Sequence, residues 1–242
     1  DRYCLDGQRL LAAVDGAACA AVGGTTVQTL RTEVESFQRV CAYTAVGGTT
    51  GPAYFTVERK DGSISWYGDR DHHPSVTRPD GFVETNAPGH AGTAMLWAQT
   101  RFQDSTGNYI DYLYAKNPGT PAASVEHLLT EVRFTGKNVL AGQGGSAKAP
   151  YAKLLFNYEM RPQARWSQGH ASGATLVQRW RMNSIVSCAS AAPGACPTAD
   201  QARYYELAYA ISVSGSGQEL LAQVTECRDG TKAVCAAPTA FE

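Results

Sequence analysis

Residues 96–116 read LWAQTRFQDSTGNYIDYLYAK. Two extended, aromatic-rich arms flank the short segment Asp104-Ser105-Thr106-Gly107-Asn108. In the second arm Ile110, Tyr112 and Tyr114 alternate with Tyr109, Asp111 and Leu113, the period of two that belongs to a strand. Gly107 and Asn108 tolerate the positive φ that a tight reversal requires. The stretch predicts a long β-hairpin, and variants of it recur along the chain.

Upstream, Phe55 and Val57 alternate with Tyr54, Thr56 and Glu58, and Asp61-Gly62 supplies a turn dipeptide before the return arm Ser63-Ile64-Ser65-Trp66-Tyr67. Residues 31–40 alternate polar groups with Val34 and Val40 and read as a strand, whereas residues 46–52 and the proline-interrupted residues 68–92 read as loops. Downstream, residues 126–134 and 153–161 each alternate as strands. Residues 136–150 and 162–173 read as connections. Residues 176–188 form one long extended stretch whose alternation slips at Asn183-Ser184, as at a β-bulge. Residues 203–212 place Tyr205, Leu207, Tyr209 and Ile211 on one face, and residues 219–227 form a last strand ending at Cys227. No helical stretch stands out. The chain reads as all-β and antiparallel, a meander of hairpins forming a large curved sheet or a sandwich, with residues 1–242 as one β domain.

Composition narrows the classes. Of 242 residues, 43% are hydrophobic and 18% charged, and the formal net charge is -1. Lysine and arginine form no stripe, which argues against a nucleic-acid partner. No run of about 18 apolar residues predicts a membrane span. The first residue is Asp1, so the N-terminus reads as cut from something longer. Seven cysteines are many for a reducing compartment. Cys188 and Cys196 flank a Pro193-Gly194 turn, Cys227 and Cys235 flank Asp229-Gly230, and each pair reads as a local disulfide. Cys4, Cys19 and Cys41 take no pairing from the sequence.

The chemistry-bearing residues are few. Asp69-Arg70-Asp71-His72-His73 is the densest set of potential ligands, but adjacent residues on extended backbone diverge, so it reads as a solvated loop. No CxxC motif and no histidine close to a cysteine point to zinc. No GxSxG elbow occurs. Residues 142–148, GQGGSAK, lack the spacing of a phosphate loop. No metal, cofactor or catalytic group is expected. The aromatics Trp97, Tyr112, Tyr114, Trp166 and Trp180 admit two readings. They pack between sheets, or they line a sugar-binding face.

Four stretches, taken in order, resemble the SpvB/TcB-type β region of bacterial virulence and insecticidal toxins, related to the RHS/YD-repeat proteins. They are FTVERKDGSISWYG at residues 55–68, WAQTRFQDSTGNYIDYLY at 97–114, RYYELAYAISVSGSGQELLAQVTEC at 203–227 and CAAPTAF at 235–241. The resemblance covers most of residues 51–242, while residues 1–50 match more loosely. It implies a secreted or cell-surface bacterial protein. It also implies a non-catalytic wall segment of a β-shell that encloses a C-terminal effector. The implied partners are other segments of the same long polypeptide, including that effector, and other toxin-complex subunits. The chain departs from the family pattern in ending before any effector, in being too short to close a shell alone, and in lacking calcium-loop-like propeller repeats. The competing expectation is an independent extracellular module that binds glycan or protein through the five aromatics.

Overall fold

A computed structural model of the chain describes residues 3–14, 18–46, 51–68, 81–90, 92–116, 125–142, 144–171, 173–192, 194–212 and 217–241. The segment Asp69-Arg70-Asp71-His72-His73 lies outside the described residues, as do Gly47 to Thr50 of the expected loop at 46–52.

The described strands are β1 (Cys4–Leu5), β2 (Gln8–Ala12), β3 (Thr25–Thr32), β4 (Arg39–Ala45), β5 (Tyr54–Glu58), β6 (Ile64–Gly68), β7 (Phe82–Glu84), β8 (Ala94–Trp97), β9 (Gln99–Gln103), β10 (Asn108–Lys116), β11 (His127–Lys137), β12 (Ala152–Met160), β13 (Ser167–Ala171), β14 (Ala174–Gln178), β15 (Trp180–Cys188), β16 (Gln201–Ile211), β17 (Glu219–Cys227) and β18 (Thr239–Ala240). The helical turns among the described residues are two three-residue 3-10 turns. Fourteen strands join one antiparallel sheet in strict chain order. The hairpins β7–β8 and β13–β14 leave that order and return to it, so β6 pairs with β9 and β12 with β15.

The opening hairpin of the sequence reading is β9–β10, with Tyr109 opposite Gln103 and Asp111 opposite Arg101. Its turn is organised by Asp104. One carboxylate oxygen accepts hydrogen bonds from Thr106 N (2.8 Å), Thr106 Oγ1 (2.8 Å) and Asn108 N (2.9 Å), and the other from Asn108 Nδ2 (2.8 Å). Gly107 takes the required positive φ of 90°. Desolvation, the largest single influence on Asp104, acts upward. The donors on Asn108 and Thr106 together outweigh it and hold the carboxyl at about 2.

The structure corrects several expectations. Glu33 to Gln38 is a loop between β3 and β4, because the polar alternation there has no apolar partner face; Val34 and Phe37 are exposed. The expected loop at 68–92 contains β7. The expected connection at 162–173 contains β13, which was hidden because its residues are small and polar. Residues 176–188 split at Arg179 into β14 and β15, which belong to different sheets. The bulge falls at Asn183, since Asn157 faces Ser184 while Tyr158 faces Met182. A second bulge on β11 puts Thr135 at φ 76°, between the pairs Tyr109–Gly136 and Asp111–Arg133. There the Tyr109 ring lies over Gly136, where an added Cβ would sit 2.3 Å from the ring.

Candidate functional site: an apolar sheet face and its charged reverse

Register and alternation sort the side chains of the large sheet onto two faces. On the first, Leu30, Val40, Ala42, Phe55 and Val57 are buried together with Leu10, and Tyr3, Leu5, Tyr67 and Trp97 pack against them. Tyr3, Phe55 and Trp97 meet edge to face at centroid distances of 5.0–5.7 Å. The Trp97 indole donates to Pro52 O at 2.7 Å. The second face of β4–β5 is also closed. Tyr43 stacks on Tyr54 at 4.3 Å, and the Cys19–Cys41 disulfide pins the segment between β2 and β3 over them. The N-terminal third therefore has cover on both faces.

Further along, the first face carries no such buried cluster among the described residues. Val57 aligns with Ser65, Ser65 with Phe102, and Phe102 with Ile110. The same face continues through Tyr112, Val132 and Leu154, then through Phe156, Ile185 and Tyr205. From Phe102 onward each of these is half-buried. This is an apolar surface spread over six strands.

The reverse face of the same strands carries charge. Arg101 Nε and Nη2 reach the Asp111 carboxylate at 2.6 and 3.0 Å, both residues being 4% exposed, and the guanidinium lies 4.2 Å from the Tyr109 ring centroid. In the next columns Glu131 accepts from Arg133 at 2.7 Å and lies 3.6 Å from Lys153 Nζ. Lys153, 1% exposed, donates to Ala192 O and Gly194 O at 2.6 and 2.7 Å. Those carbonyls belong to the loop closed by Cys188–Cys196, with sulfurs 2.04 Å apart. A buried ammonium is tolerable when oxygens surround it, and here it fixes that loop against the sheet.

At one end the sheet fans open. The ladders β9–β10, β11–β12 and β15–β16 stop at Asp111, Leu155 and Glu206 respectively. Beyond each stop a tyrosine hydroxyl donates across the gap at 2.7 Å: Tyr114 to Gln99 O, Tyr158 to Leu129 O and Tyr209 to Met182 O. Each restores a backbone acceptor that the diverging ladder would leave bare. Burial raises all three phenols, with neighbouring Tyr112 and Tyr67 contributing at Tyr114, which reaches about 12. Arg181 adds a charged clamp at this end, reaching Glu159 at 2.6 Å and Glu219 at 2.8 Å.

The five aromatics singled out in the sequence are each half-buried. Trp97 packs in the first-face cluster. Tyr112 lies on the apolar face, and Tyr114 stacks on His127 at 4.6 Å. The Trp166 indole donates to Arg161 O, with the Arg179 guanidinium 5.2 Å from its ring, and Trp180 opens β15 opposite Met160. Cys227 and Cys235 are joined, and Cys4 is free and exposed. Among the described residues no cluster of three or more His, Cys, Asp or Glu is placed to hold a metal, and no helix is long and apolar enough to cross a membrane. The tyrosine props and the charged row escaped the sequence reading. Counting register back from the Asp104 turn would have set Arg101 opposite Asp111.

No protein-family model matches the sequence, and comparison with curated proteins finds no relative. Solved structures do match. A TcdB2-TccC3 crystal structure superposes with a TM-score of 0.69 at 16% identity, over 98% of this chain and 13% of that one. The Tc holotoxin pore of Photorhabdus luminescens gives 0.70 at 16% identity, over 98% and 12%. The N-terminal domain of effector protein SpvB from Salmonella typhimurium strain LT2 gives 0.64 at 14% identity, over 98% and 80%. The chain thus spans about an eighth of the Tc chains and most of the SpvB domain. What it shares with them is the fold, the β region of SpvB and Tc-type toxin proteins.

Proposed function

We propose that this chain is a non-catalytic wall segment of a secreted bacterial toxin-type β-shell, with its apolar face turned toward a polypeptide enclosed by the same long chain. One observation carries the reading. Half-buried apolar side chains run from Phe102 to Tyr205 over six strands, without, among the described residues, the cover that closes both faces of the N-terminal third. An apolar area of this extent that stays part-exposed marks an interaction surface. The strict meander suits a wall, because each strand binds its chain neighbours and the sheet extends by adding hairpins. The shared fold with Tc components and SpvB supports it. The partners are other segments of that polypeptide and other toxin-complex subunits.

The test places a photo-crosslinking phenylalanine analogue at Phe156 in the polypeptide as its native host makes it. Crosslinks to a segment downstream of residue 242 in the same chain are expected. Absence of intramolecular crosslinks from this face would sink the enclosing role. Tryptophan fluorescence that titrates with oligosaccharides would instead favour the glycan module.

A further inference from the structure

Three disulfides close among the described residues, and they differ in access. Cys19, Cys41, Cys188 and Cys196 are all buried, at most 9% exposed. In the third bond Cys227 is buried but Cys235 is exposed. Thiol–disulfide exchange needs a thiolate to reach one of the two sulfurs, so access sorts labile disulfides from inert ones.

The accessible bond also sits where little else holds the chain. Cys227 ends β17, and the segment after it turns back to run beside that strand as β18. Cys227 and Cys235 face each other across this return. They lie between the backbone bonds Arg228 N to Val234 O, 2.9 Å, and Ala236 N to Glu226 O, 2.8 Å. Further out, β18 aligns only Ala240 with Gln223 and Thr239 with Val224, and Phe241 N donates to Ala222 O at 2.9 Å. Every residue from Gly230 to Phe241 is exposed. The ties from this segment to β16, Gly230 N to Gln201 and Lys232 to Glu206, are exposed as well, and such surface pairs contribute little. A short strand pairing without a buried apolar side chain is marginal in water. The other two bonds have second holds. Tyr43 and Tyr54 pack with Cys19–Cys41, and Lys153 grips the loop of Cys188–Cys196.

From this contrast we infer that Cys227–Cys235 is a redox-sensitive latch on the last strand of the sheet. A small thiol reductant of the glutathione type opens it ahead of the other two bonds, and residues 236–241 then come away from β17. In the first step a thiolate attacks the Cys235 sulfur, the disulfide bond breaks, and Cys227 leaves as a thiolate that takes up a proton. A second thiol attacks the mixed disulfide on Cys235 and frees that cysteine as a thiol. The two reductant sulfurs end joined to each other. The protein disulfide gains two electrons and the two thiols lose them. The latch stays shut in oxidising surroundings and opens in thiol-rich ones. It is independent of whether the apolar face encloses a polypeptide.

The test uses the polypeptide as its native host makes it, in a glutathione series quenched with N-ethylmaleimide and read by peptide mass spectrometry. Cys4, already free and exposed, is the labelling reference. Cys227 and Cys235 should become labelled at least about tenfold faster than Cys19, Cys41, Cys188 and Cys196. At the glutathione concentration that opens this bond alone, the amides of Ala236 and Phe241 should exchange at least about tenfold faster, while those of β15 stay protected. The double variant Cys227→Ser, Cys235→Ser should show the same fast exchange without reductant. Reduction of this bond at the same rate as the others, or more slowly, overturns the inference. So does protection of Ala236 and Phe241 that survives opening of the bond, because the backbone pairing would then hold the strand unaided.

Discussion

At the scale of single residues, the tyrosines on the fanned end do more than pack. Tyr114 donates to Gln99 O from a site that raises its phenol to about 12. Its folded-state value lies above the ordinary 10, so its contribution to stability is complete below about pH 10 and is lost as the pH rises through about 12. Alkaline unfolding followed by absorbance and circular dichroism should show this loss. Tyr114→Phe should remove part of it and cost about 1 kcal/mol at neutral pH in urea denaturation, the net worth of one hydrogen bond to a part-buried acceptor. Gly136 makes a second test. A methyl group there collides with the Tyr109 ring, so Gly136→Ala should destabilise by about 1–3 kcal/mol, as overpacking does. Equal stability of Gly136→Ala and the parent chain would show that the ring can move aside. The sequence displayed both tyrosines as members of an alternating strand. Nothing local distinguished a phenol that props a diverging ladder from one that simply packs.

At the scale of elements, strands with strict apolar alternation were legible, because period two and turn chemistry are local properties. The β5–β6 and β9–β10 hairpins are of this kind, as is the Asn183 bulge. What escaped was decided by distant chain. β13 is a strand because β14 is beside it, and Cys19 meets Cys41 because β3 and β4 bring them within 5.8 Å between Cα atoms. The short disulfide loops were readable because their ends are close in sequence. The loop closed by Cys188–Cys196 is held twice, by the disulfide and by Lys153. Lys153→Ala should cost about 2–4 kcal/mol, since it leaves two carbonyls without their donor and Glu131 with Arg133 alone. Amide exchange in that loop should rise while the disulfide stays closed. Unchanged exchange would show that the disulfide alone fixes it.

At the scale of the whole molecule, the sheet has one apolar face that the described residues leave half-covered past β6. The isolated chain should therefore self-associate, and Phe156→Asp should shift it toward monomer in sedimentation velocity with little change in its thermal midpoint. A monomeric parent chain at micromolar concentration would count against an adhesive face. Intact mass of the native product offers a second measure at this scale. A polypeptide much heavier than this chain agrees with a wall segment, and one of similar size removes the enclosing role. The candidate site was legible as aromatic strand faces. Its openness was not, because whether a face is covered depends on every other strand.

The strict chain order of the fourteen paired strands also bears on biosynthesis. Each strand finds its partner in the strand or hairpin made shortly before it, so no pairing but β17–β18 waits for the last residues of the chain. Pairings between sequence neighbours close quickly, and long chains commonly fold from the N-terminus during translation. The wall is thereby laid down course by course, its first strands standing before its last are synthesised. A ribosome stalled after β12 should already display the β9–β10 and β11–β12 pairings to a protease.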